Sequence, residues 1–423
     1  MKREEMLEIL EDLNGTSKDS ADISSTVKDY DLFLLANEGP IDVSIELFIK
    51  HLGFRPDAVM LVHPRNMDDV YARCPFLRTL EEDKRVGFLE NLWPLVLDRA
   101  TYMDKNILVL TLPLLPEYWF PNIEDREKHK HQKVVRDARW NDVFVILDYL
   151  EKRIGPIPII LGALTGRMSR YLIKNKIESP LICGINLTPN IITEMIEQIG
   201  SICGENPRNY KIALIGGAGQ MGRSILSWLV YSGKSKNVIV IEADQKKLET
   251  IRQGFGQPSL STKMKDLHGA DIVIVATAAS SSIIDEELLD PGTIVIDDTH
   301  PSNVDQSIPR SRNIILRVMA SVPKLGYSFP MDQLGPTESV TCLAEGCIVS
   351  QEIDEYIKQD EFIRQSESTG EISFLKKYLS TLMISGNAKE LKITRAPFRD
   401  KVGFVSDAEI QHARRLKLGI EKD

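Results

Sequence analysis

The chain has 423 residues, 43% of them apolar and 27% charged, a globular composition with length for two or three domains that excludes a disordered or fibrous protein. Lys and Arg number 52 against 61 Asp and Glu, a net charge of −9 that argues against a general polyanion binder and therefore against nucleic acid as a partner. The five cysteines, Cys74, Cys183, Cys203, Cys342 and Cys347, contain no CxxC and are too sparse for a disulfide framework, which points to a reducing, cytoplasmic compartment.

Residues 1–52 read as a polar, partly helical extension: LEILEDL is amphipathic and is broken by Asn14, Gly15 and a Ser/Asp-rich stretch. The start, Met-Lys-Arg-Glu-Glu, does not open a signal peptide, and no apolar run approaches the roughly 18–20 residues of a spanning helix, which leaves peripheral membrane contact open. AVMLV at 58–62 predicts a strand, Asp68-Asp69 opens a helix, and ILVLTLPLL at 107–115 predicts a second strand with prolines at its exit. In the charged stretch 124–139, His129 and His131 point to different sides of a helix, so a solvated helix face is expected there and no metal site. A helix over 142–153 ends at Gly155, IPIILGAL at 157–164 reads as a buried strand or loop, and Thr188-Pro189 opens a helix over 189–202. Asn206-Pro207-Arg208 then marks a domain boundary.

The next segment is strand, GxGxxG, helix. Lys211–Ile215 runs into Gly217-Ala218-Gly219-Gln220-Met221-Gly222, and Ile225, Leu226, Leu229 and Val230 follow at helical spacing. Gly217 permits the tight turn, Gly219 lets backbone approach a pyrophosphate, Gly222 allows helix to pack on strand, and the N–H groups at Gln220 and Met221 attract phosphate charge. A second strand, VIVIEAD at 238–244, carries Glu242 where a carboxylate can accept from both ribose hydroxyls. A 2′-phosphate beside Glu242 would be repelled, which favours NAD(H), although Lys246 and Lys247 start the next helix and would suit NADP(H) if Glu242 turned away. IVIVATA, after Ala270-Asp271, and TIVIDD at 293–298 are strands that continue the unit, with Thr277 on the nicotinamide side. The expected fold is α/β: a Rossmann-type doubly wound parallel sheet at 206–335, an N-terminal α/β substrate domain at 53–205, and a helical C-terminal region at 336–423 packing on the substrate domain.

Two residues are candidates for chemistry. Cys342, in SVTCLAEGC, sits at the expected start of a helix whose dipole favours a thiolate, with Cys347 in mid-helix; by spacing alone a buried structural cysteine is the commoner outcome. His300 follows a sheet strand at its carboxyl end, placed either to assist proton transfer or as a loop histidine held by Asp298.

These pieces resemble the long-chain fatty acyl-(acyl-carrier-protein) reductases that make fatty aldehydes. Cys342-Leu343-Ala344-Glu345 is similar to that family's Cys-x-Ala-Glu segment, and Asp297, Pro301 and Asn303 match its aspartate, proline and asparagine. Leu161-Gly162 with Thr165, and Gly184 with Thr188, fall where the family has Leu-Gly-Gly-x-Thr and Thr-Gly-Asn-Thr-His-Thr. The likeness spans roughly 55–350, with a C-terminal helix ending near Gly419. It departs at Ile185-Asn186-Leu187, in place of Asn-Thr-His, and at Glu242-Ala243-Asp244, where the family carries a basic residue and uses NADPH. Residues 1–52 and about 355–400 look like additions.

The resemblance implies reduction of an acyl thioester, carried by acyl-carrier protein or coenzyme A, through an acyl group on Cys342, with backbone N–H groups near Cys342, Thr188 or Asn186 as oxyanion donors. Against it stand two other readings. A shikimate- or hydroxy-acid-type dehydrogenase would need a Lys–Asp or His–Asp pair, for which Lys324 is the nearest candidate, and a non-catalytic NAD(H) sensor would need no turnover. Nothing in the sequence sets the oligomeric state.

Overall fold

The computed structural model describes residues 54–421 except 74, 93, 120–124, 234–236, 256–257, 278, 280–281, 301, 328–334, 336, 355 and 357–370. The extension 1–52 and Pro301 therefore lie outside the described residues. The chain forms two compact units, which divide between Leu181 and Ile182 and not at the expected 205/206 boundary.

In the first unit, AVMLV forms β1 (Ala58–Val62) as its unbroken apolar run predicts, and its residues are buried or nearly so because parallel neighbours flank it on both sides. Helices α1 (Met67–Arg73) and α2 (Glu82–Asn91) lead to a hairpin of β2 (Leu95–Tyr102) and β3 (Lys105–Thr111). β3 ends at Thr111, short of the predicted 115, where Pro113 removes a ladder donor. A single turn, α3 (Pro116–Trp119), precedes α4 (Arg126–Ile154), one helix of 29 residues that joins the charged and the apolar stretches read separately from sequence. Asp125 caps its start by accepting from Lys128 N–H, and Gly155, at φ 87°, ends it. β4 (Ile159–Leu161) and α5 (Ser169–Lys174) follow. β1 pairs in parallel with β3 on one side and β4 on the other, so the chain reverses direction across the sheet between β1 and β4.

The second unit opens with α6 (Thr188–Cys203), begun by Thr188-Pro189 and ended by Gly204 in the left-handed conformation. Its sheet contains β5 (Lys211–Ile215), β6 (Asn237–Ile241), β7 (Ser259–Ser261), β8 (Ile272–Val275), β9 (Ile294–Asp297) and β10 (Ile314–Arg317) in the order β10-β9-β8-β5-β6-β7, with every pairing parallel. This is the doubly wound Rossmann order, and its helices include α7 (Gln220–Tyr231) and α8 (Gln245–Phe255). A second, antiparallel sheet pairs β11 (Met319–Ser321) with β12 (Glu338–Val340) and with β13 (Thr394–Arg395).

The C-terminal region is helical as expected: α9 (Thr341–Gln351), α10 (Glu371–Glu390) and α11 (Asp407–Lys417). Within the second unit it packs both on α6, which the sequence reading assigns to the substrate domain, and on the dinucleotide sheet and its helices. Trp228 of α7 meets Tyr378 of α10 with ring centroids 5.2 Å apart, and Lys417 Nζ donates to Asp290 at 2.7 Å and to Thr293 at 3.1 Å. Arg414 Nε donates to both carboxylate oxygens of Glu205 while its Nη1 reaches Asp271. These charge-assisted bonds tie α11 to both α6 and the sheet edge.

Candidate active site

The glycine loop leaves β5 and enters α7. The left-handed turn falls on Gly216 at φ 76°, one residue before the Gly217 to which the sequence assigns it. A Cβ on Gly216 would lie 2.7 Å from Ala276 O, so the loop is pressed against the residues that follow β8, Thr277 among them. A Cβ on Gly217 would be 2.5 Å from Val240 Cγ1, and one on Gly222 would be 2.2 Å from Gly216 O. Gly219 caps α7, and the first helical N–H to find a carbonyl is that of Arg223, on Gly219 O at 2.9 Å. The N–H groups of Gln220, Met221 and Gly222 thus open the helix without a helical acceptor, which is the donor set a pyrophosphate needs. A cradle that any side chain would fill fits a dinucleotide.

Glu242 stands half-buried just beyond β6, its Oε1 within 3.4 Å of Asp244 N. Asp244 is the cap of α8, accepting from Lys246 N at 2.9 Å and Lys247 N at 3.3 Å, and both lysines are exposed. Thr277 is half-buried beyond β8. Both lie at the carboxyl edge of the sheet, just after their strands.

Beyond β9 the chain folds back on itself. Asp297 accepts from Thr299 N at 3.1 Å and from Ser302 Oγ at 2.6 Å, while Asn303, fully buried, donates its amide to Ala279 O at 2.9 Å. Asp297 and Asn303 therefore hold the loop that carries Asp298 and the half-buried His300. Burial and the neighbouring Asp297 charge push the Asp298 carboxyl well above the usual carboxylate range. Asp298 also raises the thiol of Cys342, which brings Cys342 to this edge of the sheet.

Cys342 is the second residue of α9 and is buried, with 8% of its surface exposed. Burial, with the Asp298 and Glu345 charges, pushes the thiol up to about 12, against hydrogen bonds from the N–H groups of Leu343 and Cys342 that favour the charge. Desolvation outweighs the helix end because the sulfur has been taken out of water. Cys347, in mid-helix as predicted, is fully buried.

The start of α9 is locked to the start of α6. Gly184, at φ 76°, would place a Cβ 3.1 Å from Cys342 N, and Thr188 Oγ1 lies 2.7 Å from Thr341 Oγ1. Glu345, fully buried, accepts from Asn186 N at 2.9 Å, Asn186 Nδ2 at 3.1 Å and Leu187 N at 2.8 Å. Asn186, offered by the sequence as an oxyanion donor, gives its backbone N–H and one side-chain N–H to Glu345. Thr188 likewise faces Thr341. The glycine loop was legible as a motif, whereas Gly216, Asp298 and the Glu345 clamp needed the fold; the one sequence signal for the clamp is an acid inside an otherwise apolar helix. Lys324, the candidate for a dehydrogenase lysine, sits exposed in a left-handed turn at φ 65°. In the first unit, Gly162 and Thr165 serve the sheet: Thr165 Oγ1 donates to Leu61 O at 3.1 Å and to Gly162 O at 2.7 Å.

Residues 200–321 match the family Shikimate / quinate 5-dehydrogenase. No curated protein matches the chain. Among solved structures, the nucleotide-binding domain of glutamyl-tRNA reductase from Thermoplasma volcanium is 22% identical, covering 30% of this chain and 84% of that one at a TM-score of 0.24. Pyrroline-5-carboxylate reductase from Coxiella burnetii is 19% identical over 43% of this chain and 80% of that one, TM-score 0.23. L-tryptophan dehydrogenase from Nostoc punctiforme is 13% identical over 86% and 88%, TM-score 0.28. The family match, which spans the glycine loop and β9, and the cradle itself support NAD(P)-dependent oxidoreduction. Among the described residues no helix is long and apolar enough to cross a membrane.

Proposed function

We propose that the chain reduces an acyl thioester, carried by acyl-carrier protein or coenzyme A, to an aldehyde, with Cys342 as the acyl acceptor. The observation that carries this reading is the placement of Cys342: a thiol on the first turn of a helix, met by two backbone N–H groups, beside Asp298 at the carboxyl edge of the Rossmann sheet. Its Sγ attacks the carbonyl carbon, the bond to the carrier sulfur breaks, and the carrier thiolate leaves to take up a proton. The N–H groups at the start of α9 hold the oxyanion that forms on the way. The cofactor, held by the glycine loop, would supply the hydride; as the aldehyde forms, the bond from Cys342 Sγ to the acyl carbon breaks and the sulfur takes up a proton. Gly216, Gly217, Gly219 and Gly222 give the pyrophosphate its room, Gln220 and Met221 its N–H donors, and Glu242 selects NAD(H) by accepting from the ribose hydroxyls. His300, on the loop held by Asp297, is the proton donor to the departing groups.

Intact mass tests the proposal directly. An acyl thioester mixed with the protein in the absence of cofactor adds one acyl group to the wild type and none to Cys342→Ala, and NADH then discharges the adduct as aldehyde. No adduct with either carrier type across several chain lengths, while NADH still binds, overturns it. The family match would then favour a dehydrogenase acting without a covalent stage.

A further inference from the structure

We infer that Cys183 and Cys342 are a redox pair, which a small disulfide such as oxidised glutathione closes into a Cys183–Cys342 bond. The bond requires no acyl chemistry, so the inference stands apart from the function proposed above. Every residue that builds it belongs to the second unit.

Backbone contact brings the pair together. Cys183 opens the loop that leads into α6, and Gly184 follows it at φ 76°. A Cβ on Gly184 would stand 3.1 Å from Cys342 N and 3.2 Å from Cys342 Cα, so a side chain there would push the loop off Cys342. The Cα atoms of Gly184 and Cys342 are therefore within about 5 Å of each other, and those of Cys183 and Cys342, one residue further, within about 8.5 Å. A disulfide spans about 4.4–6.8 Å between Cα atoms, so a shift of at most about 2 Å at Cys183 closes the bond. The two thiols share their surroundings as well. Burial pushes the Cys183 thiol up to about 12, with the Glu345 and Cys342 charges adding to it, and Glu345 acts on Cys342 too.

Among the described residues the four cysteines are free thiols, and neither of the other two suits Cys342. Cys347 lies five residues further along α9, a rise of about 7.5 Å that exceeds the span of a disulfide. Cys203 ends α6, about 22 Å from the end of that helix that meets α9. Cys74 falls outside the described residues.

Cys183 is half-buried and Cys342 is 8% exposed, so a small disulfide meets Cys183 first. Cys183 gives up its proton and its Sγ attacks one sulfur of the small disulfide, whose S–S bond breaks; the departing thiolate takes up a proton. Cys342, deprotonated in turn, attacks Cys183 Sγ, and the second small thiolate leaves and is protonated. Two protein thiols are oxidised and one small disulfide is reduced to two thiols.

The test incubates the full-length protein with oxidised glutathione, alkylates the remaining thiols and maps the peptides by mass. The expected product is a peptide pair joined at Cys183 and Cys342, lighter by two hydrogens and returned to free thiols by dithiothreitol. Cys342→Ala should instead hold glutathione on Cys183, and Cys203→Ser should form the bond at the wild-type rate. With both thiols raised, formation should speed up about tenfold per unit of pH between pH 7 and pH 9. The oxidised protein should still bind NADH and, on the function proposed above, take no acyl group until it is reduced. Glutathione held on either residue without a cross-link, a bond from Cys342 to any other cysteine, or two untouched thiols overturns the inference. Each of these is read by mass whether or not an acyl adduct ever forms.

Discussion

Asn186 gives Glu345 both its backbone N–H, at 2.9 Å, and its side-chain amide, at 3.1 Å, across 159 residues of chain. With Leu187 N–H, the same carboxylate takes the two backbone N–H groups just before α6, and does so from the helix that presents Cys342. Burial pushes the Glu345 carboxyl up to about 7 against those three bonds. A buried acid whose folded value lies above its unfolded one binds more protons folded than unfolded, so its contribution is full below the unfolded value near 4.5 and falls away as pH rises to about 7. Denaturant melts should show stability declining over that interval in the wild type. Glu345→Gln, which keeps an acceptor and loses the titration, should flatten the slope, and Glu345→Ala should cost about 2–4 kcal/mol by leaving the donors buried and unpaired.

Gly222→Ala tests the cradle. The added methyl would stand 2.2 Å from Gly216 O and 2.6 Å from Gly217 Cα, backbone atoms that cannot swing aside. Loop and helix must separate, at a cost of about 1–3 kcal/mol in stability and at least about tenfold in NADH affinity. Nicotinamide fluorescence measures the affinity and thermal denaturation the stability. Equal affinity in the variant would show that the dinucleotide does not use this loop.

What the sequence made legible is what repeats locally. The apolar runs of β1, β5, β8 and β9 stand out because parallel strands covered on both faces have no polar alternation to blur them, and GxGxxG fixes which sheet binds the dinucleotide. The antiparallel sheet of β11, β12 and β13 was not legible, since strands of two or three residues, two of them far apart in the chain, give no period to read. Helix α4 reads as two segments because its first half is charged all round and its second half apolar on one stripe. At Cys342 the helix position that favours a thiolate is local and visible in the sequence, whereas the burial that pushes the thiol up comes from residues distant in sequence.

In the proposed function, Glu242 sets the choice between NAD(H) and NADP(H). Replacing it with Ala removes the acceptor for the ribose hydroxyls and the repulsion of a 2′-phosphate together. Isothermal titration should find NADH binding weakened about tenfold and NADPH strengthened, with Lys246 and Lys247 exposed close by at the start of α8 to meet the added phosphate. A variant that binds NADPH no better than the wild type would mean that Glu242 does not face the ribose.

The pH dependence of acyl transfer distinguishes a buried thiol from a preformed thiolate. With the Cys342 thiol pushed up to about 12, the reactive fraction between pH 7 and pH 9 is small and grows about tenfold with each unit of pH. The rate of adduct formation, followed by intact mass under single-turnover conditions, should therefore climb log-linearly through that window with no plateau. Asp298 raises the thiol from the same edge of the sheet, so Asp298→Asn, which keeps the shape and removes the charge, should speed acylation at pH 9 by roughly tenfold or less. A rate already level at pH 7 would mean that ligand binding ionises the sulfur before attack. A rate lowered by Asp298→Asn would mean instead that the carboxylate takes the thiol proton itself.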